Sequence, residues 1–114
     1  LLQKFQTLNL GQLIEGKVLA VKPYGFFIDL GGASGLLHQS SLTKGNVRDL
    51  REIFAEGEFV KALITEIDMN KGRIGLNTAL LENMPGELLI EKQILMDEAN
   101  ERALKVQSLF QDKN

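Results

Sequence analysis

The sequence predicts an all-β domain, a five-stranded barrel with a short helix between strands three and four, followed by a C-terminal α-helix. Two observations lead to this class. Five short segments between residues 11 and 78 combine alternating apolar and polar residues with turn-forming residues at their ends. Beyond Pro85 and Gly86 the apolar residues are instead spaced by three and four, which is typical of a helix.

A lead-in at residues 1–10 precedes the first strand. Its apolar residues have the spacing of the end of a helix: Leu1, Leu2, Phe5 and Leu8. From Gly11 onward, apolar residues alternate with Glu15 and Lys17, which is the period-two pattern of a half-buried strand. The segment KPYG then ends this strand with a proline and a glycine.

The second and third strands follow closely. In residues 26–30, alternation places Phe26 on the apolar face and Phe27 on the opposite face. The turn GGASG leads into LLH, residues 36–38, which we predict as a short third strand.

Residues 39–57 predict a short helix or 3₁₀ segment. Asn46 is a candidate N-cap, and Gly57 is a candidate C-terminal stop. The apolar residues that would share one helical face are Val47, Leu50 and Phe54.

The fourth and fifth strands lie at residues 58–67 and 73–78, joined by the turn DMNKG. Five short strands in an open sheet would leave two exposed edges, and closure into a barrel of the OB type removes them. Gly16 and Gly75 lie inside strands and suit the sharp coiling of such a barrel.

We expect the barrel domain to span residues 11–80, and a linker and amphipathic helix to occupy residues 81–114. The helix is predicted over residues 87–110. Its apolar stripe consists of Leu88, Leu95, Ala99, Ala103, Val106 and Phe110. The stripe predicts that the helix packs on the barrel or meets a partner, and its polar residues exclude a membrane span.

Charge is divided unevenly along the 114 residues, whose net charge is −2. Residues 1–80 contain nine Lys or Arg and eight Asp or Glu, a balance of +1, whereas residues 81–114 contain four and seven, a balance of −3. A near-neutral barrel binds a polyanion only if a few lysine or arginine side chains share one face. Charge alone should not make that binding strong. The absence of cysteine excludes disulfides and thiolate metal sites. Because the chain begins at Leu1, we expect it to be a fragment.

Tyr24 and Phe27 raise a question of function. If Phe26 faces the core, then Phe27 points outward, where Tyr24 can lie beside it. Adjacent exposed rings are unusual without a use, and nucleobases stack on such rings. The other interpretation is that the helical segment or the tail covers Phe27, and alternation alone leaves both open.

Several motifs together resemble an S1 domain, an RNA-binding OB-fold family named for a ribosomal protein. They are G-x-V at the first strand, YGFF, GLLH and a late D…GR, and the resemblance covers residues 11–78. More narrowly, KPYG, FIDLGG and LENMPGELL resemble the last S1 domain of cyanobacterial and chloroplast ribosomal protein S1. Three features depart from the family pattern: Gln39 after the histidine, Asn77 in place of serine, and a DMNKG turn one residue longer than in some members.

The resemblance implies a set of RNA-contacting residues: Tyr24, Phe27, His38, Asp68 and Arg73. The two rings would stack on bases, the histidine would stack or donate a hydrogen bond, and the arginine would bond phosphate or stack. Asp68 would orient the arginine or accept from a base or a 2′-hydroxyl. Generic candidates for attraction to the RNA backbone are Lys22, Lys61 and Lys71, although for Lys71 a solvated loop charge is the favoured interpretation.

The resemblance therefore implies single-stranded RNA binding, as one domain of a ribosomal protein S1 that holds mRNA at the small ribosomal subunit. Alternatives are an S1 domain that feeds RNA to a processing enzyme such as polynucleotide phosphorylase, and a protein-interaction S1 domain that docks on the ribosome or a sister domain. The residues themselves disfavour catalysis, because the chain has one histidine and no phosphate-cradling or nucleophile motif. We expect no metal, cofactor, small-molecule substrate or membrane partner, and a location in the bacterial cytoplasm or chloroplast stroma.

Overall fold

The computed structural model describes residues 8–111, and the helical spacing predicted at the start of the lead-in lies outside them. The strands are β1 (Leu13–Lys22), β2 (Gly25–Asp29), β3 (Ser34–His38), β4 (Phe59–Asp68) and β5 (Arg73–Asn77). They form a closed barrel in the order β1-β2-β3-β5-β4, with β4 paired back onto β1. All neighbours are antiparallel except β3 and β5, which are parallel. The predicted five-stranded barrel is confirmed.

Strand alternation decides which side chains fill the barrel. Phe26 and Ile28 are buried in its interior, whereas Phe27 between them is only half-buried and points outward. The Phe26 ring meets Phe54 edge-to-face, with 5.4 Å between ring centroids. This geometry is a favoured one for aromatic pairs and fixes the 39–58 connection against the barrel.

The connection between β3 and β4 contains 3₁₀ turns at Gln39–Ser41 and Leu50–Glu52. The predicted short helical segment is therefore present, but its predicted N-cap, Asn46, is wrong. Asp49 caps the second turn instead, since its carboxylate accepts a hydrogen bond from the Arg51 backbone N–H at 3.0 Å. The segment is only one turn long, so a cap three residues earlier has no helix to close.

Gly16 lies where β1 and β2 approach each other closely. A Cβ atom at this position would lie 2.5 Å from the Cγ2 atom of Ile28 and 2.6 Å from the backbone oxygen of Asp29. Backbone cannot move aside as a flexible side chain can, so only glycine fits here. The close approach therefore requires glycine at position 16, and the predicted role in barrel coiling stays a prediction.

Replacing Gly16 with alanine is expected to lower the free energy of unfolding by about 1–3 kcal/mol, because the added methyl group overpacks the β1–β2 contact. Glu15→Ala, at the exposed neighbouring position, is the control and should change stability by less than about 0.5 kcal/mol. Urea unfolding of both variants measures the difference. Equal stability of Gly16→Ala and the parent chain would contradict the close approach.

The C-terminal segment is helical, as predicted, but it forms three helices rather than one. These are α1 (Glu87–Ile90), α2 (Lys92–Asp97) and α3 (Ala99–Gln111). The backbone leaves helical geometry at Glu91, with φ −127° and ψ 47°. The breaks let the segment follow the barrel surface.

The predicted apolar stripe packs on this chain's own barrel. Buried members that share the barrel's hydrophobic core are Leu88, Leu95, Ala99 and Ala103, and Val106 packs against it half-buried. The side chain of Phe110 lies outside the described part. The domain boundary expected at residue 80 stays a prediction. No helix among residues 8–111 is both long and apolar enough to cross a bilayer.

A buried ionic cluster fastens these helices to one another and to the chain after β5. The Arg102 guanidinium donates to both carboxylate oxygens of Glu87, at 2.7 and 2.9 Å, and to the backbone oxygen of Leu81 at 3.0 Å. The same guanidinium donates to Glu98 at 2.9 Å. These bonds hold the pKa of the Glu87 carboxyl below its usual value, chiefly through the side-chain hydrogen bond from Arg102.

Candidate nucleic-acid interface

The outer faces of β2 and β3 carry an aromatic pair beside the β1–β2 turn. Tyr24 lies in that turn, directly before β2, and its side chain is exposed. Phe27 lies two residues into β2 and is half-buried on the outer face. The two rings meet edge-to-face with 6.2 Å between centroids. Of the two interpretations that alternation left open, the structure favours a surface pair.

The β4–β5 hairpin brings two cations to the same place. Because β3 and β5 are parallel and Gly35 pairs with Ile74, Arg73 lies beside the start of β3. A groove of about 360 Å³ results, with aromatic rings on one side and cationic side chains on the other. Its lining residues are Tyr24, Phe27, Ser34, Gly35, Leu36, Lys71, Gly72 and Arg73. We call this the aromatic groove.

Asp68 acts on the backbone of the β4–β5 turn. It is the strand partner of Arg73, and its Oδ1 atom accepts a hydrogen bond from the Lys71 backbone N–H at 3.1 Å. Among the described residues no ion pair joins Asp68 to Arg73. The turn itself, held by this bond, therefore sets where Lys71 and Arg73 emerge.

His38 ends β3 and lies next to the aromatic groove, but it does not line it. It faces Gly25 across the β2–β3 pair, two positions along the outer face from Leu36. Its Nδ1 atom accepts a hydrogen bond from the Ser40 backbone N–H at 3.1 Å. The Ser40 hydroxyl also lies 2.9 Å from Nδ1. A neutral ring whose Nδ1 atom accepts carries its proton on Nε2, and no bond from Nε2 to another residue within 8–111 occupies that donor on this half-exposed side chain.

The three lysines predicted as generic phosphate contacts lie in three different places. Lys71 lines the aromatic groove. Lys22 lines a second groove on the other side of the β1–β2 turn. Lys61 lies on the β1–β4 side beside α2, where its backbone N–H lies 3.4 Å from the sulfur of Met96. The structure thus separates Lys61 from the aromatic residues.

Sequence reasoning missed the β3 side of the groove. Strand β3 begins at Ser34, two residues earlier than predicted, so Ser34 and Gly35 contribute to the lining. Leu36 is the register partner of Phe27 and lies outward because Leu37 is buried. Alternation about Leu37 is a signal that could have placed Leu36 on the same face as Phe27. Within the described part of the chain, no cluster of three or more histidine or carboxylate side chains is placed to hold a metal ion.

A five-stranded barrel with this order is an OB-fold, a class that binds oligonucleotides and oligosaccharides on this strand face. The chain belongs to the S1 RNA binding domain family, whose model matches residues 7–79. The resemblance from which the candidate RNA-contacting residues were taken is therefore confirmed, and the family is one of RNA-binding domains.

Curated relatives include small ribosomal subunit protein bS1 of Synechococcus elongatus, 45% identical over 98 residues that cover 86% of this chain and 33% of the relative. Small ribosomal subunit protein bS1c of Spinacia oleracea is 36% identical over 96 residues, covering 84% of this chain and 23% of that protein. The chain thus spans a third or less of these relatives. The predicted similarity to cyanobacterial and chloroplast proteins is confirmed, whereas the position as their last S1 domain stays a prediction.

Solved structures are similar over the barrel. The solution structure of GSP13 from Bacillus subtilis is 33% identical with a TM-score of 0.59, covering 62% of this chain and 55% of that one. A chain from an a/eIF2alpha-aDim2p-rRNA complex of Pyrococcus horikoshii is 26% identical with a TM-score of 0.63, covering 67% and 47% of the two chains.

Proposed function

We propose that this chain binds single-stranded RNA in the aromatic groove, as one domain of a ribosomal protein bS1 that holds mRNA at the small ribosomal subunit. The observation that carries the proposal is the meeting of Tyr24 and Phe27 with Arg73 in one groove. Rings offer flat faces to unpaired bases, and a guanidinium bonds phosphate or stacks on a base. The location would be the bacterial cytoplasm or the chloroplast stroma, as for the relatives' ribosomes.

Stacking should contribute more than charge. Each stacked base is worth roughly 1–3 kcal/mol, so two rings give at most about 6 kcal/mol. Stacking alone would therefore give one domain a weak affinity, with a dissociation constant of about 40 µM or higher. Tight binding by the whole protein would then require several domains on one strand.

Tyr24→Ala and Phe27→Ala are each expected to weaken the binding of a tetranucleotide RNA by roughly 5- to 150-fold, the equivalent of one lost stacking interaction. Chemical-shift titration of the chain measures the affinity. Phe59→Ala is a matched control, since Phe59 is an exposed phenylalanine that lines the groove beside α2 and not the aromatic groove.

Tyr24→Ala and Phe59→Ala should unfold at nearly the same temperature as the parent chain, and Phe27→Ala, which removes a half-buried ring, should still fold with a smaller loss of stability than a core substitution. If Phe59→Ala weakens binding as much as Phe27→Ala, then the aromatic groove is not the site. If Tyr24→Ala unfolds the barrel, then that ring belongs to the core and the stacking assignment is wrong.

Arg73→Gln is expected to make the salt dependence of tetranucleotide binding shallower. For a single-stranded ligand, each phosphate contact that is removed reduces the magnitude of the slope of log K against log salt by about 0.7. Affinity measured from 50 to 300 mM salt gives the slope. An unchanged slope with unchanged affinity would show that Arg73 does not contact the RNA.

Protein contact is a second candidate function. The C-terminal helices leave apolar side chains in solvent, notably Ile90 and Leu104. A titration in which RNA shifts no signal of Tyr24 or Phe27, while a sister domain or small subunits shift those of the helices, would favour it. The enzyme-appended alternative is less supported, because the bS1 matches of 96 and 98 residues are longer than the barrel.

A further inference from the structure

We infer that a second groove, beside the aromatic groove, binds the sugar-phosphate backbone of the same RNA strand. This groove has a volume of about 390 Å³ and lies between the β1–β2 turn and the β3–β4 connection. Its lining includes Lys22, Pro23, Gln39, Arg48, Asp49 and Arg51. We call it the basic groove. The inference rests on the proposed function and extends its site.

The two grooves adjoin at the β1–β2 turn. Pro23 in the basic groove is bonded to Tyr24 in the aromatic groove. Gln39 in the basic groove follows His38, and its backbone N–H donates to the Tyr24 backbone oxygen at 2.9 Å. A strand stacked on Tyr24 therefore continues past His38 into the basic groove without leaving the surface.

The charges of the basic groove fit a phosphodiester. Arg51 forms an ion pair with Asp49, with an Nη2–Oδ2 distance of 3.0 Å, so these two charges cancel. Lys22 and Arg48 are exposed, and neither forms an ion pair within the described residues. Two uncompensated cations thus face a groove whose one carboxylate is already neutralised.

The lining also indicates which part of the RNA is bound. It contains no aromatic side chain, so bases have no ring on which to stack there. Cationic and amide groups contact phosphate and ribose regardless of base. The basic groove should therefore add affinity and salt dependence for a longer strand, with no base preference.

The test compares a tetranucleotide with a twelve-nucleotide oligouridylate, both within the range that one OB-fold covers. In the variant Lys22→Gln/Arg48→Gln we expect unchanged binding of the tetranucleotide. Binding of the twelve-mer should weaken on the order of tenfold at 0.1 M salt, and its salt slope should become shallower by about 1.4, which is two phosphate contacts. Lys17→Gln/Lys105→Gln removes the same charge outside both grooves and is the matched control.

Three results would overturn the inference. The first is that the Lys22→Gln/Arg48→Gln variant binds the twelve-mer with the same affinity and the same salt slope as the parent chain. The second is an equal loss for tetranucleotide and twelve-mer, which would place both cations at the aromatic groove. The third is an equal loss in the control, which would reflect net charge alone. In each case, the proposed function still stands if Phe27→Ala weakens the binding of the tetranucleotide. If the parent chain itself binds no tetranucleotide, the proposed function is contradicted.

Discussion

Replacing Arg102 with methionine is expected to lower the free energy of unfolding by about 3–5 kcal/mol. Arg102 is only 8% exposed and donates to Glu87, Glu98 and the backbone oxygen of Leu81. Methionine keeps most of the aliphatic stem but leaves the buried Glu87 carboxylate without its cation. Thermal and urea unfolding measure the loss.

The control is Arg51→Met, which removes the same charge from an exposed pair with Asp49 and should change stability little. A second variant keeps the prediction testable if Arg102→Met does not fold. In Arg102→Met/Glu87→Met both partners become apolar, and stability should largely recover, because the cost lies in the unpaired charge. A double variant less stable than Arg102→Met would contradict this explanation.

The ion pair also sets a pH dependence. The pKa of Glu87 is lower in the folded chain than the roughly 4.3 of an unfolded glutamate, chiefly through the hydrogen bond from Arg102. The pair's contribution is therefore present in full above that unfolded value and is lost as the pH falls through the lower folded pKa. The stability difference between the parent chain and Arg102→Met should be smaller at pH 3 than at pH 7, because protonation of Glu87 removes both the ion pair of the parent chain and the unpaired charge of the variant. A difference that stays constant from pH 7 to pH 3 would mean that packing, and not charge, is lost.

Phe26→Ala is expected to destabilise the chain by roughly 3–5 kcal/mol, because it empties the centre of the barrel. The side chain is fully buried and packs edge-to-face on Phe54. Unfolding in urea measures the effect.

Phe27→Ala, one residue away on the outer face, is its control. Because Phe27 is only half-buried, its removal should cost markedly less stability while weakening RNA binding. If the two variants were equally destabilised, then the assignment of inner and outer faces along β2 would be wrong.

Much of the fold could be predicted because it depends on local pattern. Alternation along 26–30 was enough to assign Phe26 to the inner face of β2 and Phe27 to the outer face, since strand side chains alternate by geometry. That no other segment fully covers Phe27 came from the structure. The cap of the 3₁₀ turn was less predictable. Asn46 and Asp49 are both good caps, and which one acts depends on where the packed segment begins to turn. The breaks between the C-terminal helices likewise follow from the shape of the surface beneath them.

The candidate site shows the same division. Tyr24 and Phe27 are close in sequence, at the start of one hairpin, so it was predictable that their side chains could lie beside each other on the outer face. Lys22 and Lys61 look alike in sequence, yet one adjoins the aromatic groove and the other lies beside α2. Local periodicity carries no information on which strands become neighbours, so it could not separate them.

Residue type and short spacing along the chain were sufficient to predict the barrel class and the inner and outer faces of its strands, and the resemblance of its motifs implied the S1 relationship. The folded arrangement was needed to show that the helical stripe covers its own barrel and that Arg73 lines the same groove as Tyr24 and Phe27. Both depend on contacts between residues far apart in the chain, above all the parallel pairing of β3 with β5, and such contacts form only when the barrel closes.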